Sequence, residues 1–544
     1  MKRISILTFC TIMLLTLCVS CKEDVPPTPE PQKGPYGYYI EEDLTTTNII
    51  DDNYRNYYEI YVGSFYDSDG DSIGDLKGVT KKLDYIKDLG FNGIWLMPIN
   101  EAGSYHKYDV IDYYAIDSEY GTMADFEELI AECHKRGIKL IMDLVLNHSS
   151  NYNEMFIRAV IAHEKDLVGF SLTEEEEKYK DFYSFYDGAN PPSGYSKVPG
   201  KSFYYECNFS GNMPEFNCDS PAVRAEFQNI INFYLDKGVD GFRLDAVKYF
   251  YLGNNAKCVE LLSEINKWVK TKNPNGYVVG ECWELSDKII SQYYGSGIDS
   301  FFNFEASVSN PYGYLLNSIN QEGRFCYKYY DGLLSNIKIA GNGIPAPFIN
   351  NHDTPRFTSR GDVNRSKFQF ALLQMMNGST FTYYGDEVGM VGTNTGTNPD
   401  QNVRIPILWG TEEGKCTAPG GTTIEEYPYG TVAEQLADEN SILNYYKKVL
   451  LVRNQNPEIA RGEVTLVEMD RENAKLFVKK TYNGSEIGLI FNFNAINDLN
   501  VNYQQFGFTQ VVGQIVIDSS DEKYIGIQDD GSLLLPPYSI AIVK

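Results

Sequence analysis

The chain has 544 residues, with 47 Lys and Arg against 74 Asp and Glu and a formal charge of −27. That acidity repels nucleic acid and anionic lipid headgroups and points to a neutral or cationic ligand. The length suffices for one large barrel with smaller attached domains.

The first twenty residues hold Lys2, Arg3 and the apolar run ISILTFCTIMLLTLCVS, with Cys21 directly after. This pattern reads as a secretory signal over 1–20 and is too short for a membrane span. The segment LCVSC resembles the bacterial lipoprotein signal, which implies cleavage before Cys21 and its lipidation. The resemblance implies an exported, cell-surface or envelope lipoprotein whose only membrane contact is this anchor. The following KEDVPPTPEPQKGP is rich in proline and charge, and predicts a flexible tether over 21–48. No CxxC pair of the mature chain suggests zinc, and Cys207 and Cys218 are spaced to close a small loop outside the cytoplasm.

Eight apolar runs follow in order: YYEIYVGSF, GIWLMP, IKLIMDLVLNH, GFRLDAV, YVVGEC, SFFNFE, PAPFINNHD and STFTYYGDE. Amphipathic stretches such as TMADFEELIAECHKRG and SPAVRAEFQNIINFYLDKG separate them, so strand and helix alternate as in a parallel (β/α)8 TIM barrel over 49–148 and 211–455. A Tyr-, Gly- and Pro-rich interval at 149–210 breaks the rhythm and reads as an insertion after the third strand. From 456 to 544 the runs EVTLVEM, AKLFVKKTY, EIGLIFNFN and LLLPPYSIAIVK alternate as in a small antiparallel β domain.

Chemistry in such barrels sits at the C-terminal ends of the strands. Several runs end in polar residues: Asp143, Asn147 and His148; Arg243, Asp245 and Lys248; Glu281; His352 and Asp353. The motifs DLVLNH, GFRLDAVKY, VVGECW and FINNHD, with GIWLMP and MPEFN, resemble in this order those of the α-amylase family, glycoside hydrolase family 13. The resemblance implies domain B inserted after the third strand and a C-terminal β-sandwich. It further implies Asp245 as nucleophile, Glu281 as general acid/base and Asp353 as the carboxylate that holds a distorted sugar. A retaining glycosidase needs one ionised and one protonated carboxyl on opposite sides of the bond it cuts. Arg243 lies two residues before Asp245 on one strand face and is expected to keep it ionised, whereas crowding by Asp245 and Asp353 is expected to keep Glu281 protonated. By resemblance His106, His148 and His352 hydrogen-bond sugar hydroxyls, Tyr108 stacks on the sugar, and Lys248 lines the leaving-group side.

Between the first strand and its helix, DSDGDSIGD places Asp67, Asp69, Asp71, the Ile73 carbonyl and Asp75 around room for one hard cation, Ca2+. A similar loop binds calcium in relatives such as oligo-1,6-glucosidases. A second calcium site of many α-amylases uses an asparagine matching Asn147 and a histidine whose place Tyr249 takes, so that site is not expected. Ala246 and Lys248 resemble α-amylases and favour α-1,4 cleavage of starch or maltodextrins. MPEFN and NVRIPILW resemble an intermediate group with mixed α-1,4 and α-1,6 activities, such as neopullulanase-like enzymes or oligo-α-glucosidases. A non-catalytic glycan-binding lipoprotein would need a broken carboxylate triad.

Overall fold

The computed structural model describes residues 32–307, 313–335, 343–360, 362–396, 398–420, 427–517 and 523–544. The signal segment, Cys21 and residues 21–31 of the expected tether lie outside the described residues.

Eight strands form one parallel sheet: β1 (Asn56–Ile60), β2 (Gly93–Leu96), β3 (Lys139–Leu144), β4 (Gly241–Leu244), β5 (Tyr277–Gly280), β6 (Ser300–Asn303), β7 (Ala346–Pro347) and β8 (Thr380–Tyr383). Their spatial order is β7-β6-β5-β4-β3-β2-β1-β8, and a parallel bridge between Phe348 and Phe381 joins the two ends into a barrel. β7 is the shortest because Pro347, with no N–H, cannot extend the ladder. Helices cover the outside, so both faces of the sheet are buried and the strands read as near-continuous apolar runs.

Period two sorts the side chains. On β1, Tyr57 joins an interior cluster with Trp95, Ile141, Tyr277, Val279, Phe302 and Phe381, while Tyr58 and Ile60 pack outward among the helices. The covering helices carry their own boundary signals. Met123–Lys135 starts at a capping box between Thr122 and Asp125 and buries Phe126, Leu129, Ile130 and Cys133 along one face. Pro221–Lys237 has proline in its first turn and ends at Gly238 in the left-handed region, at φ 99°.

The insertion after β3 contains the helix Glu154–Leu167 and a three-stranded antiparallel sheet of Phe185–Tyr186, Tyr204–Glu206 and Tyr195–Lys197. Bridges from His148 to Glu215 and from Tyr183 to Phe216 tie it to the barrel rim. At the C-terminal end, the antiparallel sheet of Glu463–Asp470, Lys475–Tyr482, Ser485–Asn492, Ser539–Val543 and Val511–Ile515 faces a second sheet. Phe477, Ile490, Leu499, Val501, Leu533 and Val543 fill the space between them, which makes this part a β-sandwich.

Part of the expected tether is not a tether. Lys33–Gly34 and Gly37–Tyr38 form a hairpin at the edge of the second sheet, where Tyr38 pairs with Ile527 and Tyr39 stacks on Tyr524. Pairing there uses backbone groups and tyrosine rings, for which the proline content upstream is irrelevant. Cys207 and Cys218 are buried free thiols, and all seven described cysteines are free.

Candidate active site

The inward-facing positions climb from apolar to charged along three adjacent strands. Ile141 is followed by Asp143 on β3, Arg243 on β4 by Asp245 just past its end, and Tyr277 and Val279 on β5 by Glu281 just past its end. The parallel register sets Arg243 beside Asp143 on one side and Val279 on the other. Arg243 is 1% exposed, its guanidinium lies over the Trp95 ring, and it serves three carboxylates. Nη1 donates to Asp143 at 2.9 and 3.0 Å and to Asp245 Oδ1 at 2.6 Å, and Nη2 reaches Glu281 Oε2 at 3.1 Å. A core strand therefore carries opposite charges because its arginine holds carboxylates from three strands in one plane of the barrel. It does so from below: Arg243 does not line the cavity above, and its reach to Glu281 and Asp143 goes beyond the pairing with Asp245 that the sequence predicts.

The chain leaves β4 through Ala246 at φ 48°, a strained position for a residue with a Cβ. That conformation turns the Ala246 N–H toward Glu281 Oε2, to which it donates at 3.0 Å. Glu281 is pushed up to about 7, first by burial and then by Asp245 and Asp353, with Arg243 opposing. The expected direction holds, but burial rather than crowding leads. Asp143 is pushed up to about 7 as well, again by burial.

A second network closes the site from β1 and the loop after β7. His352 is completely buried; Nδ1 meets Glu59 Oε1 at 2.5 Å, and Nε2 meets the Tyr108 hydroxyl at 2.7 Å and Asp353 Oδ2 at 3.1 Å. Arg404 Nη2 donates to Asp353 Oδ1 at 2.8 Å. Although burial opposes it, His352 and Arg404 hold the Asp353 carboxyl well below the usual carboxylate range. His352, expected to meet a sugar hydroxyl, sits behind the cavity wall, and protein groups lie against both of its ring nitrogens.

His106 and His148 do line the cavity. The Tyr108 N–H donates to His106 Nδ1 at 3.1 Å, so Nε2 carries the proton, and burial lowers this imidazole to about 4. Asn147 Nδ2 lies 3.3 Å from His148 Nδ1, and His148 Nε2 is buried without a partner. His106 thus offers a neutral N–H donor for a ligand hydroxyl, and His148 offers an unpartnered ring nitrogen. Lys248 bonds Glu284 at 3.0 Å and the Trp283 carbonyl at 3.2 Å.

The cavity holds about 790 Å³ and brings together Asp245, Glu281, Asp353, Tyr108, His106, His148 and Lys248. It also has aromatic walls that sequence reading missed. Phe209, from the insertion, packs on Tyr249 at 4.5 Å and on His148 at 5.3 Å, and Trp283 stacks on Phe304 at 4.6 Å. Tyr249 therefore makes an aromatic contact at the place where the second calcium site would need a histidine. Glu59 and Arg404 were also missed as site residues; Arg404 stands in the NVRIPILW stretch, whose order alone does not point to Asp353.

The acidic loop after β1 only partly matches its expected ligand set. Oxygens of Asp67, Asp69 and Asp71 lie within 4.8 Å of one another. Asp75 instead accepts from Ser68 N, Ser68 Oγ and Gly78 N, capping the helix Leu76–Lys81. Burial and the neighbouring carboxylates raise Asp71, as clustered anions require. The all-oxygen donor set suits a hard cation.

The family described as Alpha amylase, catalytic domain, matches residues 59–462. Alpha-amylase 3 of Dictyoglomus thermophilum is 34% identical over 510 residues, covering 90% of this chain and 93% of that protein. Oligo-1,6-glucosidase of Parageobacillus thermoglucosidasius is 30% identical, with coverage of 80% and 89%. Among solved structures, Eubacterium rectale Amy13B superposes with a TM-score of 0.83 at 37% identity, covering 93% of this chain and 99% of that one.

Proposed function

Since the chain belongs to the α-amylase family of glycoside hydrolases, we propose that it is a retaining hydrolase that cleaves internal α-1,4-glucosidic bonds of starch or maltodextrins. In this reading Asp245 attacks the anomeric carbon while Glu281 passes its proton to the leaving glycosidic oxygen. The glycosyl-enzyme ester is then opened by water, whose proton returns to Glu281, and the product keeps its α configuration. The observation that carries the reading is the single guanidinium of Arg243, which positions both carboxyls while burial keeps Glu281 protonated near neutrality. Asp353, held ionised by His352 and Arg404, would bind the hydroxyls of the distorted sugar.

A second reading, a neopullulanase-like or oligo-α-glucosidase activity on mixed α-1,4 and α-1,6 bonds, is supported by the relatives named oligo-1,6-glucosidase. The test is the product pattern and anomeric form from soluble starch, maltotetraose, pullulan and isomaltose, with wild type and Asp245→Asn. Short α-anomeric maltodextrins from starch, lost in the variant, support the first reading. Panose from pullulan or glucose from isomaltose supports the second, and no cleavage of any substrate returns the chain to a binding role.

Calcium is proposed for the Asp67, Asp69, Asp71 loop, where it would neutralise the clustered carboxylates and stiffen the turn that leads from β1. The Ile73 carbonyl and Asp75 complete the proposed set only if Asp75 gives up part of its capping role. Export and lipid anchoring at Cys21 are likewise proposed from the lipoprotein-like segment, and failure of a Cys21→Ala variant to lose membrane association in cell fractions would count against them.

A further inference from the structure

His352 lies between three oxygen atoms. Nδ1 faces Glu59 Oε1 at 2.5 Å, and Nε2 faces Asp353 Oδ2 at 3.1 Å and the Tyr108 oxygen at 2.7 Å. Asp143 Oδ2, at 3.1 Å, offers an acceptor for the Tyr108 proton, which lets the Tyr108 oxygen accept from His352. A neutral imidazole has one N–H, so with Glu59 and Asp353 both ionised either tautomer would point a nitrogen lone pair at a carboxylate oxygen. With both nitrogens protonated, every contact becomes a donor–acceptor pair.

We propose that Glu59 is a positioning residue that holds His352 as a doubly protonated imidazolium, which in turn fixes Asp353 and Tyr108 for the ligand. Glu59 and His352 are each 1% exposed, so no water can replace the missing partner. A proton shared between the pair stays on the imidazole, the more basic group in water, because Asp353 stabilises the cation from the other side. The other charges around the pair are mixed. Arg243 lies close enough to Glu59 to favour its carboxylate, whereas burial first and then Asp353 act the other way and leave this carboxyl raised; Asp386 also lies near Glu59, and Arg404 touches the His352 carbonyl, through its Nε at 3.1 Å, rather than the ring. The two carboxyl groups outweigh burial and lift His352 to about 10.

The inference rests on the proposed role of Asp353 only in its kinetic arm. The first measurement is 15N NMR of the imidazole nitrogens, tractable because the chain has five histidines, with His352 assigned by its absence in His352→Gln. At about pH 8 both His352 nitrogens are expected to carry protons in the wild type, whereas in Glu59→Gln one proton is lost between about pH 5 and pH 8. A wild-type His352 with a bare nitrogen, or a Glu59→Gln protein whose His352 stays doubly protonated, overturns the proposal. If the variant does not fold, the wild-type spectrum alone decides. In the kinetic arm, the ratio of variant to wild-type kcat/KM on maltotetraose is expected to fall by at least about tenfold from pH 5 to pH 8. Taking the ratio cancels the limb set by Glu281, and a ratio independent of pH would mean that Glu59 only supports the fold.

Discussion

Arg243→Lys keeps a positive charge in the barrel and removes its span. The native guanidinium reaches Asp143 and Asp245 from Nη1 and Glu281 from Nη2. Lysine offers one nitrogen on a shorter reach, which cannot occupy both positions, so at least one charge-assisted bond to Asp245 or Glu281 is lost. Such a bond contributes about 1.5–3 kcal/mol, which at about 1.36 kcal/mol per decade is a loss of about 10- to 150-fold in kcat/KM. The pH profile has a definite sign. Burial drives the Glu281 carboxyl up and Arg243 is the strongest influence in the other direction, so weakening that contact raises it further. Because the general acid must be protonated to act, the alkaline limb of kcat/KM, which Glu281 places at about 7, should move to higher pH. Initial rates on maltotetraose across the pH range, with thermal melts to confirm folding, measure both effects. A loss smaller than about threefold, or a limb that stays in place or moves to lower pH, refutes the reasoning.

Glu281→Gln is expected to nearly abolish starch hydrolysis; near-normal turnover would remove Glu281 from its proposed role. The same variant tests linkage, because a carboxyl raised to about 7 in the folded state contributes stability that is present below its unfolded pKa and is lost as pH rises toward 7. The variant should therefore melt above the wild type at about pH 8, by on the order of 3 kcal/mol, and near it at about pH 4; equal melting at both would contradict the burial argument. Phe209→Ala and Trp283→Ala, which strip the aromatic walls of the cleft, should each raise KM for maltodextrins by about 5- to 10-fold with a smaller change in kcat, and an unchanged KM in both would deny these rings a sugar contact. Chelation should lower the melting temperature, with calcium but not magnesium restoring it, since occupancy at a hundredfold over Kd adds about 2.7 kcal/mol; metal analysis that finds no calcium, with melting indifferent to chelator, would remove the metal.

The barrel was legible in the sequence because each strand must be apolar on both faces, and a polar residue that ends such a run is conspicuous. Asp143, Asp245, Glu281 and Asp353 were visible for that reason. The pairings that tune them were not. Glu59 reads as one polar residue inside YYEIYVGSF, and its partner His352 is 293 residues away; Arg404 sits on a loop after β8 with no periodicity to mark it. The insertion was legible as an interruption, yet its helix Glu154–Leu167 and the Phe209 wall were not, since short elements among aromatic and glycine residues carry weak pattern signals. The hairpin at Lys33–Tyr38 escaped for a different reason: a sheet edge recruits backbone N–H and C=O groups, which every sequence has except at proline. The residues that sequence order identifies are those placed by a strand's own period. The residues that set their protonation are placed by barrel closure, which brings β1 beside β8 and the loop after β7 over β1. That closure is also why the protonation state of His352 is the sharpest probe of the site, for it depends at once on Glu59 from the first strand and Asp353 from beyond the seventh.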